Sequence, residues 1–72
     1  MAEFSIDTFG RRVAERRKQW EWSPAELSRQ TGVNQSTICR VEKGEMPNLS
    51  LRIACQLAKA LQVSIGYLCK EG

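Results

Sequence analysis

The sequence predicts an all-α domain, and three observations predict it. A full capping box, Ser23-Pro24-Ala25-Glu26, opens a helix with an N-cap hydroxyl, a proline at the first helical position and a glutamate three residues past the cap. Ala54, Leu57, Ala58 and Leu61 recur at i, i+3, i+4 and i+7, the spacing of a helix with one face in a core. No stretch alternates with the two-residue period of a strand. A length of 72 residues allows one domain, residues 1–72.

Each element has its own signal. Phe9, Val13 and Trp20, with Ala14 beside them, recur at helical spacing, and Ser5 or Asp7 is the N-cap candidate. They predict a helix over 8–20 behind a short arm, 1–7. The capping box starts the second helix, 24–31, which Gly32 ends by supplying a left-handed residue that other side chains adopt only at a cost. Asn34 caps the third, 35–43, where Ile38 and Val41 turn inward before Gly44 and Pro47 stop it. Two helices this short do not persist alone, so the pair joined by Gly32-Val33-Asn34 must pack together and on the first helix. That arrangement is a helix-turn-helix. Asn48 or Ser50 caps the fourth helix, 49–61, and Ser64 caps a last one, 65–70, with Ile65, Leu68 and Cys69 on one side.

Composition narrows the function. With 42% apolar and 26% charged residues the chain is too hydrophobic for a disordered tail and too short to enclose a large ligand cavity. Eleven Lys and Arg against eight Asp and Glu leave a net charge of +3. The three cysteines form no C-x-x-C pair and there is no histidine, so neither a disulfide framework nor a zinc site is supported and no cofactor is expected. Lack of histidine also removes every Ser-His or Cys-His couple and the usual general base near neutral pH. No carboxylate pair or nucleophile–base couple converges on a cleft, so no enzyme is expected. The N-terminus carries acids in place of a basic signal region, and nothing approaches the roughly 20 apolar residues of a spanning helix. A cytoplasmic protein with reduced thiols is expected.

The chemistry lies on the third helix. In a helix-turn-helix the second helix of the motif enters the major groove while the first crosses the phosphate backbone. With Ile38 and Val41 inward, the opposite stripe holds Gln35, Ser36 and Arg40, with Cys39 beside them. Glutamine suits adenine, arginine suits guanine, and serine serves either. The helix starts at Ala25 and at Asn34 suit phosphates, and Lys43 is a third phosphate candidate. Arg11, Arg12, Arg16, Arg17 and Lys18 spread over more than one face of the first helix, so not all of them can meet DNA.

These residues carry a resemblance. Arg17, then Ser23-Pro24-Ala25-Glu26-Leu27-Ser28, Gly32-Val33-Asn34-Gln35-Ser36-Thr37-Ile38, Val41-Glu42-Lys43-Gly44, Leu57-Ala58-Lys59-Ala60-Leu61 and Val63-Ser64 resemble the lambda-repressor and Cro-like, or xenobiotic-response-element-type, helix-turn-helix family over residues 9–68. The resemblance implies a compact five-helix domain that binds double-stranded operator DNA as a dimer, with Gln35, Ser36 and Arg40 at the base-reading positions. It also implies an ion pair between Arg17 and Glu42. Three features depart from the family pattern. Pro24 stands where many relatives have glutamine, so one contact to the DNA backbone or outermost base pair is lost. Glu21 stands where glycine often ends the first helix, and either accepts a left-handed backbone at about 1 kcal/mol or alters the turn, with Trp20 and Trp22 anchoring it by burial. The loop Glu45-Met46-Pro47-Asn48 is not basic.

Plainer readings stand beside these. Gln35, Ser36 and Arg40 would otherwise be an ordinary solvated face, and Lys43 a charge that favours the helix dipole. Trp20 and Trp22 read as core packing ahead of base stacking. Cys55 and Cys69 read as small buried hydrophobes, and Cys39 as a thiol near DNA without a partner for a redox switch. The stripe of Leu49, Ile53, Leu57, Ile65, Tyr67 and Leu68 exceeds what a small core needs, so part of it is expected to be a dimer surface. The expected function is a sequence-specific DNA-binding transcriptional regulator, a repressor or autoregulator, with no membrane and no small-molecule ligand. As a homodimer on an inverted repeat it would place two recognition helices about 34 Å apart. Its small size, with no room for an effector domain, suits a phage or mobile-element regulator or a restriction–modification controller. The second function class is an antitoxin-type interaction module, which would show a long exposed apolar patch or an extension.

Overall fold

The computed structural model describes residues 6–46 and 48–69. Five helices follow one another: α1 Ile6–Gln19, α2 Pro24–Thr31, α3 Gln35–Glu42, α4 Leu51–Leu61 and α5 Ile65–Cys69. Among the described residues there is no strand, and no helix is long and apolar enough to cross a membrane.

The caps explain the boundaries, including those that differ from expectation. Asp7 is not a cap: α1 begins at Ile6, placing Asp7 inside the first turn, where a carboxylate meets the positive end of the helix. Ser5, Pro47 and residue 70 lie outside the described residues. Lys43 is the C-cap of α3 instead of its last residue, with its N–H on the Cys39 carbonyl at 3.1 Å. For α4 the cap is Ser50, whose hydroxyl accepts the Ile53 N–H at 3.2 Å. The helix therefore starts at Leu51, and Leu49 lies before it, not in it.

The core draws on every helix. Phe9, Val13, Leu27, Ile38, Val41, Leu57, Leu61 and Leu68 are fully buried. Leu57 and Leu68 thus belong to the interior, not to a spare surface stripe. Cys55 corrects the other way and is exposed. Ala54, Leu57, Ala58 and Leu61 take the inward face of α4, and one residue past Ala54 the helix has turned about 100° outward. At Gly10, α1 approaches α3 so closely that a Cβ there would collide with the Val41 carbonyl oxygen.

The α1–α2 turn takes the left-handed alternative, with Glu21 at φ +60°. Trp20 and Trp22 stack at 5.6 Å between ring centroids, but only Trp22 packs on the core. Trp20 remains 38% exposed, because its indole Nε1 reaches out to donate to the Leu61 carbonyl at 3.2 Å and so occupies the end of α4. Gln62, next in the chain, is also left-handed at φ +61°, which nothing in the sequence pattern anticipates.

Candidate nucleic-acid interface

Small hydrogen bonds fix how α2 meets α3. The Ser23 hydroxyl accepts the Glu26 N–H at 3.1 Å. Past the other end of α2, Gly32 at φ +77° sends its N–H to the Ser28 carbonyl at 2.8 Å. The Ser28 hydroxyl donates to the Val33 carbonyl at 2.6 Å. Thr31 bridges the same turn, donating to the Leu27 carbonyl at 2.8 Å and accepting the Val33 N–H at 3.0 Å. Asn34 Oδ1 then accepts the Ser36 N–H at 2.9 Å and starts α3. Every polar group of the turn that these bonds satisfy is one that needs no water, so the crossing of the two helices is set before any ligand arrives.

The rotation of α3 about its own axis follows from burial. Ile38 and Val41 are fully buried, which turns Gln35, Ser36, Arg40 and Lys43 to solvent. Ser36 and Arg40 are one turn apart, Lys43 continues that stripe, and Gln35 lies at its edge. Cys39 is half-buried on the flank, less open than expected. Among the described residues, the side chains of Gln35, Ser36, Arg40 and Lys43 make no hydrogen bond or ion pair. No carboxylate belongs to the stripe, because Glu42 is turned toward α1. At the start of α2, Pro24 has no N–H and the Ser23 cap engages that of Glu26, so Ala25, which is exposed, offers the free donor.

Arg17 is committed elsewhere. Its Nε donates to Glu42 Oε2 at 2.7 Å, Nη2 to Glu42 Oε1 at 3.0 Å, and Nη1 to the Trp22 carbonyl at 2.8 Å. One guanidinium therefore ties α1, the α1–α2 turn and α3 together. Donation to the Glu42 carboxylate raises the Arg17 pKa above its ordinary value, against an opposing effect of burial. Arg16 donates to Gln19 at 2.7 Å and Arg12 lies 5.0 Å over the Tyr67 ring, while Arg11 and Lys18 are exposed.

The sequence pattern also passes over a cation near the start of α3. Arg52 is exposed in the first turn of α4 and lines an open cleft of about 380 Å³ together with Asn34 and Thr37. Its signal was a basic residue two positions after the serine that caps a helix. Among the described residues no group of three or more His, Cys, Asp or Glu could hold a metal ion. Burial pushes the Cys69 thiol up in pKa and away from the reactive thiolate.

The sequence signature of the helix-turn-helix family matches residues 13–68. Among solved structures, the chain is similar to the restriction-modification controller protein C.AhdI from Aeromonas hydrophila. That likeness has 32% identity and a TM-score of 0.80, and covers 88% of this chain and 94% of that one. It is also similar to the hypothetical transcription factor NHTF from Neisseria, with 25% identity and a TM-score of 0.85 over 97% of this chain and 85% of that one. No curated protein sequence matches.

Proposed function

Because the chain belongs to the Cro/C1-type helix-turn-helix family and is a DNA-binding transcription regulator, we propose that α3 reads operator DNA in the major groove through Gln35, Ser36 and Arg40. The observation that carries this reading is the rotational setting of α3: burial of Ile38 and Val41 leaves those side chains exposed on a stripe with no acid. Arg40 suits guanine O6 and N7, Gln35 suits adenine N6 and N7, and Ser36 accommodates either base. The Ala25 N–H, the start of α3 at Asn34 and the Lys43 ammonium suit phosphates on either side of the groove. Arg17 and Glu42 hold α3 at its angle and leave the reading to others.

The regulator acts as a homodimer on an inverted repeat, as a repressor or autoregulator. Supporting this, Leu51 is 72% exposed and forms one edge of an open, mostly apolar groove of about 240 Å³ that Leu49, Ser50, Ala54, Ile65 and Cys69 also line. A protruding apolar side chain beside an apolar recess suits an isologous contact, in which each copy fills the other. An antitoxin-type role would call for a longer exposed apolar patch than this one.

Selection of bound sequences from a random DNA pool tests the reading. A two-fold symmetric consensus with half-sites about 34 Å apart is expected. Arg40→Ala should relax one position per half-site by about 1–3 kcal/mol, while Lys43→Ala weakens all sequences alike. A pool that yields no consensus refutes base reading by α3.

A further inference from the structure

An open cleft of about 380 Å³ adjoins the start of the reading helix. Asn34 and Thr37 line it from the α3 side, and Ser50, Arg52 and Gln56 from the α4 side. Arg52 is the cation of that cleft. It is exposed, and its side chain makes no hydrogen bond or ion pair among the described residues.

The walls present donors. No carboxylate lines the cleft, and the side-chain oxygens of the two helix caps are engaged by their own helices. Asn34 Oδ1 accepts the Ser36 N–H at 2.9 Å, and the Ser50 hydroxyl accepts the Ile53 N–H at 3.2 Å. The Asn34 Nδ2 amide is thereby left as a donor. Exposure does not distinguish Arg52, since Arg11, Lys18 and Lys59 are exposed as well. Position does. Lys59 lines a different cleft, to which α3 contributes nothing, and Arg11 and Lys18 belong to α1. Arg52 shares its cleft with Asn34, where the reading above brings a phosphate to the start of α3.

We propose that Arg52 is a further residue of the DNA interface, holding the sugar-phosphate backbone from the α4 side where the start of α3 holds it from the other. A guanidinium offers two parallel N–H donors to phosphate oxygens. The contact carries no sequence information itself. Because it comes from outside the helix-turn-helix, it fixes how deeply and at what tilt α3 enters the groove, and so which base edges Gln35 and Arg40 reach. The proposal rests on the reading role of α3 for where the backbone runs.

The test compares Arg52→Gln with Lys59→Gln, which removes the same charge from the same helix away from α3. Binding is measured against salt on a duplex with one pool-selected half-site and on a random duplex. Arg52→Gln is expected to bind both about fivefold more weakly, with a log–log salt slope shallower by about 0.9. Lys59→Gln should keep the parent slope, and Arg52→Lys should restore it. When single phosphates of the half-site are replaced by methylphosphonate, one replacement should weaken the parent but not Arg52→Gln. Equal slopes for the parent and Arg52→Gln overturn the proposal. So does an equal drop for Lys59→Gln, which would make Arg52 one part of a diffuse positive field. A methylphosphonate series in which every replacement weakens parent and variant alike overturns it too. A pool without a consensus, together with a shallower Arg52→Gln slope on random DNA, refutes base reading by α3 and leaves the Arg52 contact standing; a consensus with an unchanged slope does the reverse.

Discussion

Glu21 and Gln62 hold backbone conformations that glycine adopts without strain, at φ +60° and +61°. A side chain there costs about 1 kcal/mol. Glu21→Gly and Gln62→Gly are each expected to raise the unfolding free energy by about 0.5–1 kcal/mol, measured by urea denaturation. A decrease would mean that the side chain contributes more than its backbone costs. Glu21 was legible as one of two alternatives, because it stands where relatives of the family often end the first helix with glycine; Gln62 was not, since Ser64 marks the next helix without revealing how α4 stops. Arg17 carries more. Its three donors serve Glu42 and the Trp22 carbonyl with side-chain exposures of only 11% and 13% for the ion pair. Arg17→Ala leaves both acceptors half-buried and unpaired, an expected loss of about 2–3 kcal/mol. The sign of its pH dependence follows from the raised pKa. A group whose pKa rises on folding contributes fully below its unfolded value, and the contribution fades only as pH climbs through the still higher folded value. The difference between wild type and Arg17→Ala should therefore stay constant between about pH 6 and about pH 9, read by denaturation at each pH. A difference that shrinks toward alkaline pH contradicts this account.

The helices that carry the candidate site were the most legible ones, because α2 and α3 are bounded by residues with a single local job. Ser23, Gly32 and Asn34 each take a specific hydrogen bond or backbone conformation, and sequence rules describe such local geometry directly. Where two caps competed, as with Asn48 and Ser50, the sequence could not decide, since the choice depends on how far the loop must travel before α4 reaches the core. The exposure of Cys55 was missed for a related reason: residue type favours burial, but the phase of the helix overrides it. Contacts between helices were less legible still. Nothing in the sequence pattern singled out Gly10, which is where α1 lies against the backbone of Val41. Gly10→Ala would force α1 away from α3, at an expected cost of about 1–3 kcal/mol by thermal or urea denaturation. Since Val41 helps to set the rotation of α3, DNA affinity should fall even under conditions where the variant remains folded. Unchanged stability would show that α1 is free to shift without disturbing α3.

A net charge of +3 gives only a weak general attraction to DNA, and the homodimer proposed above would add to it through geometry. Each phosphate contact contributes a slope near −0.9 to the salt dependence of binding in log units, and a pair of bound domains doubles the number of contacts. Leu51 offers a clean way to separate pairing from reading. It is 72% exposed, so Leu51→Asp removes little from the core and should leave the helical signal and the unfolding midpoint nearly unchanged. Placed against the apolar groove of a second copy, however, the carboxylate would lose water without gaining a partner. The variant is expected to run as a monomer in sedimentation at concentrations where the wild type pairs. On DNA it should bind a single half-site as the parent does, but lose affinity for the full inverted repeat, with a salt slope about half as steep. A variant that still pairs places the dimer contact on another face. A wild type that stays monomeric on its own and yet binds the full repeat steeply would instead mean that the two copies meet only on the DNA, with the operator as the template that brings them together.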